Sequence, residues 1–119
     1  MLLGQLSILI IKVLVRNKLN LNQMERILCA AIWYNDGKEY PAQPKNVKTG
    51  YVWCGRRHHN IINLRAAITG EPTRTREGQG FITSLDRFVD RIEGNEIAIA
   101  AGQVEGNLAG DQLISEDLY

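Results

Sequence analysis

Two segments of this chain concentrate residues able to bind an anion. The first is the run Gly55, Arg56, Arg57, His58, His59 and Asn60, which sits where a β-prone stretch gives way to a helical pattern. The start of a helix leaves backbone N–H groups unpaired and carries partial positive charge. Cations there are unfavourable, by about 0.3–1 kcal/mol each at exposed sites. The sequence nevertheless puts two arginines and two histidines into that turn, and Gly55 has no side-chain oxygen to cap it. A phosphate would satisfy the N–H groups and the guanidinium forks together. On a helical wheel Arg57 falls near the Ile61 face, whereas Arg56, His59 and Asn63 fall toward the other side. The charge therefore surrounds the helix tip rather than forming one solvated stripe. The competing reading is an ordinary surface helix start.

The second segment spans residues 80–91 and interleaves Phe81 and Phe88 with Arg87 and Arg91. Arginine beside an aromatic ring suits base stacking and phosphate pairing. Core packing competes for the same rings, so one Phe is expected in the core and the other at a ligand. Arg91 falls in the first turn of a second helix, where Asp90 and Glu93 offset its charge.

Other chemistries find less support. Cys54, His58 and His59 give C-x3-H and C-x4-H spacings. Zinc needs three or four ligands, and no second Cys/His cluster exists, so neither metal nor cofactor is expected. Two adjacent histidines leave at most one facing a ligand, and no paired carboxylates or Ser/His/Asp order accompanies them. These residues read best as an anion-binding, nucleotide-binding site. The alternatives are a nucleotide-cleaving enzyme with His58 or His59 as general base, and a protein-interaction module.

The elements that must position these residues follow from turn and cap signals. Residues 26–34 read as a strand, Asn35-Asp36-Gly37 as a hairpin turn, and residues 38–40 as a short strand. Residues 41–50 are a loop with two prolines, and residues 51–54 a second β-prone run. Residues 57–69 read as a helix with Ile61, Leu64 and Ile68 on one apolar face, closed by Gly70 with Pro72 beyond. A polar loop at 71–79 precedes β-like pieces at 80–84 and 88–89, joined by a turn at Leu85-Asp86-Arg87. Asp90 and Glu93 open a helix running to about Ala101, with Gly102 as its stop. This is a small α/β (α+β) domain: an antiparallel-type sheet of about four strands with two main helices.

Length and composition agree with one globular domain of 119 residues, 45% hydrophobic and 23% charged. The net charge of +1 hides an asymmetry. Residues 1–91 carry fourteen Lys+Arg against seven Asp+Glu, while residues 92–119 carry six acids and no Lys or Arg. An acidic tail that packs near a basic surface, or meets a neighbouring subunit, would explain this. The near-neutral total argues against a nucleic-acid polymer as partner. Cys29 and Cys54 are too few for a disulfide framework, which suggests a reducing compartment, the cytoplasm.

Residues 1–23 form an apolar extension that precedes a more regular domain at 24–119. Its apolar core, residues 2–15, contains Gln5, Ser7 and Lys12 and is shorter than the roughly 20 residues a membrane span needs. Its basic residues follow the apolar stretch rather than precede it, unlike a secretory signal. Either a helix packs on the domain or on a partner subunit, or the segment lies upstream of a natural start at Met24.

Residues 26–34, Gln43-Pro44-Lys45-Asn46, the run from Gly55 to Asn60, Gly80-Phe81 and Arg87-Phe88-Val89-Asp90-Arg91 together resemble the first type of Thoeris anti-defence protein, a family of small phage-encoded signal sponges. The resemblance covers about residues 24–119. It implies a symmetric homo-oligomer, such as a hexamer, acting in the cytoplasm of the infected bacterium. Such proteins bind cyclic ADP-ribose isomers, and in some members the cyclic di- or trinucleotides of CBASS immunity, without cleaving them. The resemblance carries over Gly55, Arg56, Arg57, His58, His59 and Arg91 as binding residues, followed by Phe81 and Arg87. Two features depart from the pattern: the extension before Met24, and Gly94-Asn95 inside a helix expected to be regular. Gly inside a helix costs about 1 kcal/mol against Ala.

Overall fold

A computed structural model describes residues 24–73, 76–105 and 111–118. The readings made for residues 1–23 fall outside the described residues. Among the described residues, four strands and two helices follow in order: β1 (Ile27–Tyr34), β2 (Tyr51–Gly55), α1 (His58–Thr69), β3 (Gln79–Thr83), β4 (Phe88–Asp90) and α2 (Arg91–Ala100). A 3-10 turn, Ser115–Asp117, follows among the described residues. The strands form one antiparallel sheet in the order β2-β1-β3-β4. The architecture is the α+β domain expected from the sequence.

The longest strand, β1, is rich in Ile, Trp and Tyr and holds the centre, with Ala30 opposite Gly55 on one side and Phe81 on the other. Strand alternation sends its side chains to two faces. Ala30, Ile32 and Tyr34 face the two helices and join Ile61, Phe81, Val89, Ala98 and Leu113 in the main core. Ala31 and Trp33 face the opposite way and meet Val47, Val52, Ile82 and Phe88 beneath the loop that precedes β2. A bulge between Ile27 and Cys29 shifts the register, so Ile27 also reaches the main core while Leu28 is exposed.

Residues 38–40 do not form the expected strand. Both edges of β1 are already taken, by β2 and β3, and the Lys38 carbonyl instead accepts from the Gly50 N–H at 2.7 Å. The helix signals are met. Gly70 ends α1 in the left-handed conformation (φ 75°), and its N–H donates to the Ala66 carbonyl. Asp90 caps α2 by accepting from the Glu93 N–H.

The inner face of α1 differs from the apolar spacing. His58, Ile61 and Arg65 are buried, whereas Leu64 and Ile68 point outward, 55% and 66% exposed. Gly94 does not interrupt α2. A Cβ there would lie 3.0 Å from Cδ2 of the buried Phe81 ring, so the glycine lets the helix approach the sheet closely.

Candidate functional site

The run from Gly55 to Asn60 falls at the N-terminus of α1. Arg57 is the N-cap, in extended conformation (φ −130°, ψ 151°), with no side-chain cap and no acid in the first turn. Gly55 is required by packing, since a Cβ there would come 2.9 Å from Ile61 Cγ1. Arg56, His59 and Asn60 are exposed and Arg57 is half-buried.

His58 is buried, and its Nε2–H donates to the Gly80 carbonyl at 2.8 Å. Its ring stands edge-to-face on Phe81, with centroids 5.3 Å apart. Burial, helped by the charge of Arg91, holds its pKa below 6.5, against the opposing pull of the Gly80 hydrogen bond. His58 is thus a neutral tether between α1 and β3.

Beside it lies a cleft of about 340 Å³ in which His59, Arg76, Gln79, Arg91, Ser115 and Glu116 converge. Arg91 enters from the first turn of α2, and its Nη2 donates to Gln79 Oε1 at 2.6 Å. Burial and the neighbouring Arg76 charge lower the Arg91 pKa, while Glu116 partly offsets them. Two guanidinium groups therefore share a partly enclosed space with one carboxylate. The acidic tail packs against the basic surface through Glu116, one of the two arrangements its charge suggested.

Two sequence expectations are corrected. Phe81 is fully buried in the main core beneath α2, and Phe88 is also buried, on the other face of the sheet, so neither ring offers a ligand platform. Arg87 lies outside the cleft. It holds Glu25 through Nε to Oε2 and Nη2 to Oε1, both at 2.8 Å, and Glu93 through Nη2 at 2.8 Å. These hydrogen bonds raise its pKa and commit it to the fold.

Sequence reasoning missed Arg76, Gln79, Ser115 and Glu116. The first two lie where the polar loop runs into β3, and the last two on the 3-10 turn. Their convergence is tertiary; only the charge asymmetry of the tail hinted at it. Among the described residues no group of three His, Cys, Asp or Glu side chains is placed to hold a metal ion, and no helix is long and apolar enough to cross a membrane.

A family model described as phage T4 y16D protein matches residues 26–119. Comparisons with curated proteins and with solved structures give no match.

Proposed function

Because the chain belongs to the phage T4 y16D protein family, we propose that it is a phage accessory protein that captures cyclic nucleotide immune signals and holds them intact. The observation that carries this reading is the meeting of Arg76 and Arg91 beside His59, close to an uncapped helix start. Burial, and then the Arg76 charge, lower the Arg91 pKa; a phosphate placed there offsets the repulsion between the two guanidinium groups and accepts several charge-assisted hydrogen bonds. The resemblance to anti-defence sponges supplies the ligand class: cyclic ADP-ribose isomers and cyclic di- or trinucleotides.

The same resemblance supports a symmetric homo-oligomer, for example a hexamer, acting in the cytoplasm of the infected cell. The exposed Leu64 and Ile68 on α1 supply an apolar strip suited to such a contact. Calorimetric titration with a panel of these cyclic nucleotides, followed by chromatography of the recovered ligand, tests the reading. Tight binding of an unchanged ligand is expected. A degraded ligand would make the protein an enzyme, and no binding across the panel would make it a protein-interaction module.

A further inference from the structure

The two cysteines of this chain take no part in the proposed signal seat, yet the sheet brings them together. Ala31 pairs with Cys54 across β1 and β2, and Ala30 with Gly55 is the last pair of that ladder. Cys29 therefore lies one residue beyond the end of the ladder and Cys54 one residue inside it, diagonal to each other across the final pair. Strand alternation puts both on the face of Ala31 and Trp33, away from the helices. Their thiols are in hydrogen-bond contact. Both are free, Cys54 exposed to solvent and Cys29 half-buried.

An exposed thiol backed by a second, less accessible one suits an attacking cysteine and its resolving partner. The contact with Cys29 draws the Cys54 thiol down to about 7, so much of it is thiolate at neutral pH. The same contact and burial keep the proton on Cys29. Diagonal neighbours on antiparallel strands stand about 7–8 Å apart, slightly beyond the roughly 4.4–6.8 Å between Cα atoms that a disulfide takes. A bridge must therefore draw the strands together by roughly 1 Å. The place allows it: the β1–β2 ladder stops at Gly55, and β1 bulges between Ile27 and Cys29. The strain left over makes such a bridge easy to reduce, as a reversible modification requires.

We propose that Cys54 and Cys29 form a peroxide-sensitive modification site that closes reversibly into a disulfide across the end of the β1–β2 ladder. The Cys54 thiolate attacks one oxygen of a peroxide. An S–O bond forms as the O–O bond breaks, Cys54 becomes the sulfenic acid, and the departing hydroxide takes a proton from solvent to leave as water. With the charge on Cys54 gone, the contact that held the Cys29 proton no longer opposes its loss. The Cys29 sulfur then attacks the Cys54 sulfur. An S–S bond forms, the S–O bond breaks, and the hydroxide leaves with the Cys29 proton as a second water. The two sulfurs together give up the two electrons that the peroxide gains, and exchange with an external dithiol restores both cysteines.

The test treats the reduced full chain with hydrogen peroxide at neutral pH, blocks the remaining thiols with iodoacetamide, and reads intact mass and a peptide map. The parent should lose both alkylatable thiols and two hydrogens within one chain, with Cys29 and Cys54 joined in the map, and dithiothreitol should restore both. In Cys29→Ser the Cys54 sulfenic acid has no resolving thiol, so its trapping by dimedone should rise roughly tenfold over the parent. Cys54→Ser should leave Cys29 reduced. Both thiols still alkylatable in the parent, a bridge formed only between chains, or dimedone trapping as strong in the parent as in Cys29→Ser would overturn the proposal. The parent's own map decides the question without either variant.

Discussion

Arg87 grips the Glu25 carboxylate at both oxygens, Nε to Oε2 and Nη2 to Oε1, each at 2.8 Å. The pair ties a residue two positions before β1 to the turn between β3 and β4, and Thr83 Oγ1 donates a third hydrogen bond to Glu25 at 2.5 Å. Glu25 is 16% exposed and Arg87 35%, so water screens the pair only in part. Arg87→Ala should cost about 1–2 kcal/mol of stability, less than a fully buried charged contact, as read from urea unfolding.

Phe81 and Gly94 form a second structural pair. A Cβ at position 94 would press within 3.0 Å of Phe81 Cδ2 and 3.7 Å of Leu113 Cδ2, in a part of the core with no exposed side to yield. Gly94→Val should therefore destabilise by about 1–3 kcal/mol through overpacking. A thermal midpoint at or above the parent's would refute this account of the glycine.

How far the sequence discloses this molecule depends on whether the deciding interaction is local. Gly70, Asp90 and Glu93 act within one turn of their own helix, and their roles were legible. The inner face of α1 was not, because periodicity counts apolar residues. Arg65 occupies a buried position by pairing with Tyr51, Glu71 and the Tyr34 ring, and so turns Leu64 and Ile68 outward. The site was half legible for the same reason. His59 and Arg91 announce themselves by breaking a rule at a helix start, while Arg76 and Glu116 reach them only through folding.

Acid should weaken the fold in two stages. Burial depresses the His58 pKa below 6.5, so the unfolded chain takes up a proton that the folded one refuses. Stability is complete above pH 6.5 and falls as the pH drops from there toward the folded value, by up to about 1.4 kcal/mol per pH unit. For Glu25, burial alone would raise the pKa, but hydrogen bonds from Arg87 and Thr83 and the Arg87 charge hold it below 4.5. Its contribution is present above pH 4.5 and is lost as the pH falls through the folded value. Urea midpoints between about pH 8 and about pH 5 should decline for the parent protein and stay flatter in His58→Gln. Parallel profiles would assign the acid sensitivity elsewhere.

The cysteines should differ sharply in reactivity. Alternation along β1 and β2 puts half-buried Cys29 and exposed Cys54 on the sheet face away from the helices, and both thiols are free. A hydrogen bond from Cys29 pulls the Cys54 thiol down to about 7, while the same contact and burial push Cys29 up. Iodoacetamide at neutral pH should label Cys54 first. Cys29→Ala should slow that labelling by roughly tenfold, because a fall of up to about fiftyfold in thiolate fraction is partly offset by the greater nucleophilicity of the more basic thiolate. The midpoint of the pH-rate profile should move from about 7 toward 9.0. Unchanged kinetics would show that Cys29 does not support the Cys54 thiolate.

The strongest demand on the proposed signal seat is that its three charges act in opposite directions. Arg76 and Arg91 would each donate to a bound phosphate, whereas Glu116 shares their cleft and repels it. A hydrogen bond to a charged group is worth about 1.5–3 kcal/mol, so Arg76→Ala or Arg91→Ala should weaken a bound cyclic dinucleotide by roughly ten- to a hundredfold. Glu116→Gln should strengthen it, and added salt should shrink all three effects because the cleft is partly open to solvent. Arg87→Ala is the control, since Arg87 is held by Glu25 and Glu93 and does not line the cleft. Affinity that fell in Arg87→Ala but not in Arg91→Ala would move the ligand to the opposite end of β4 and leave the Arg76–Arg91 cleft without a role in binding.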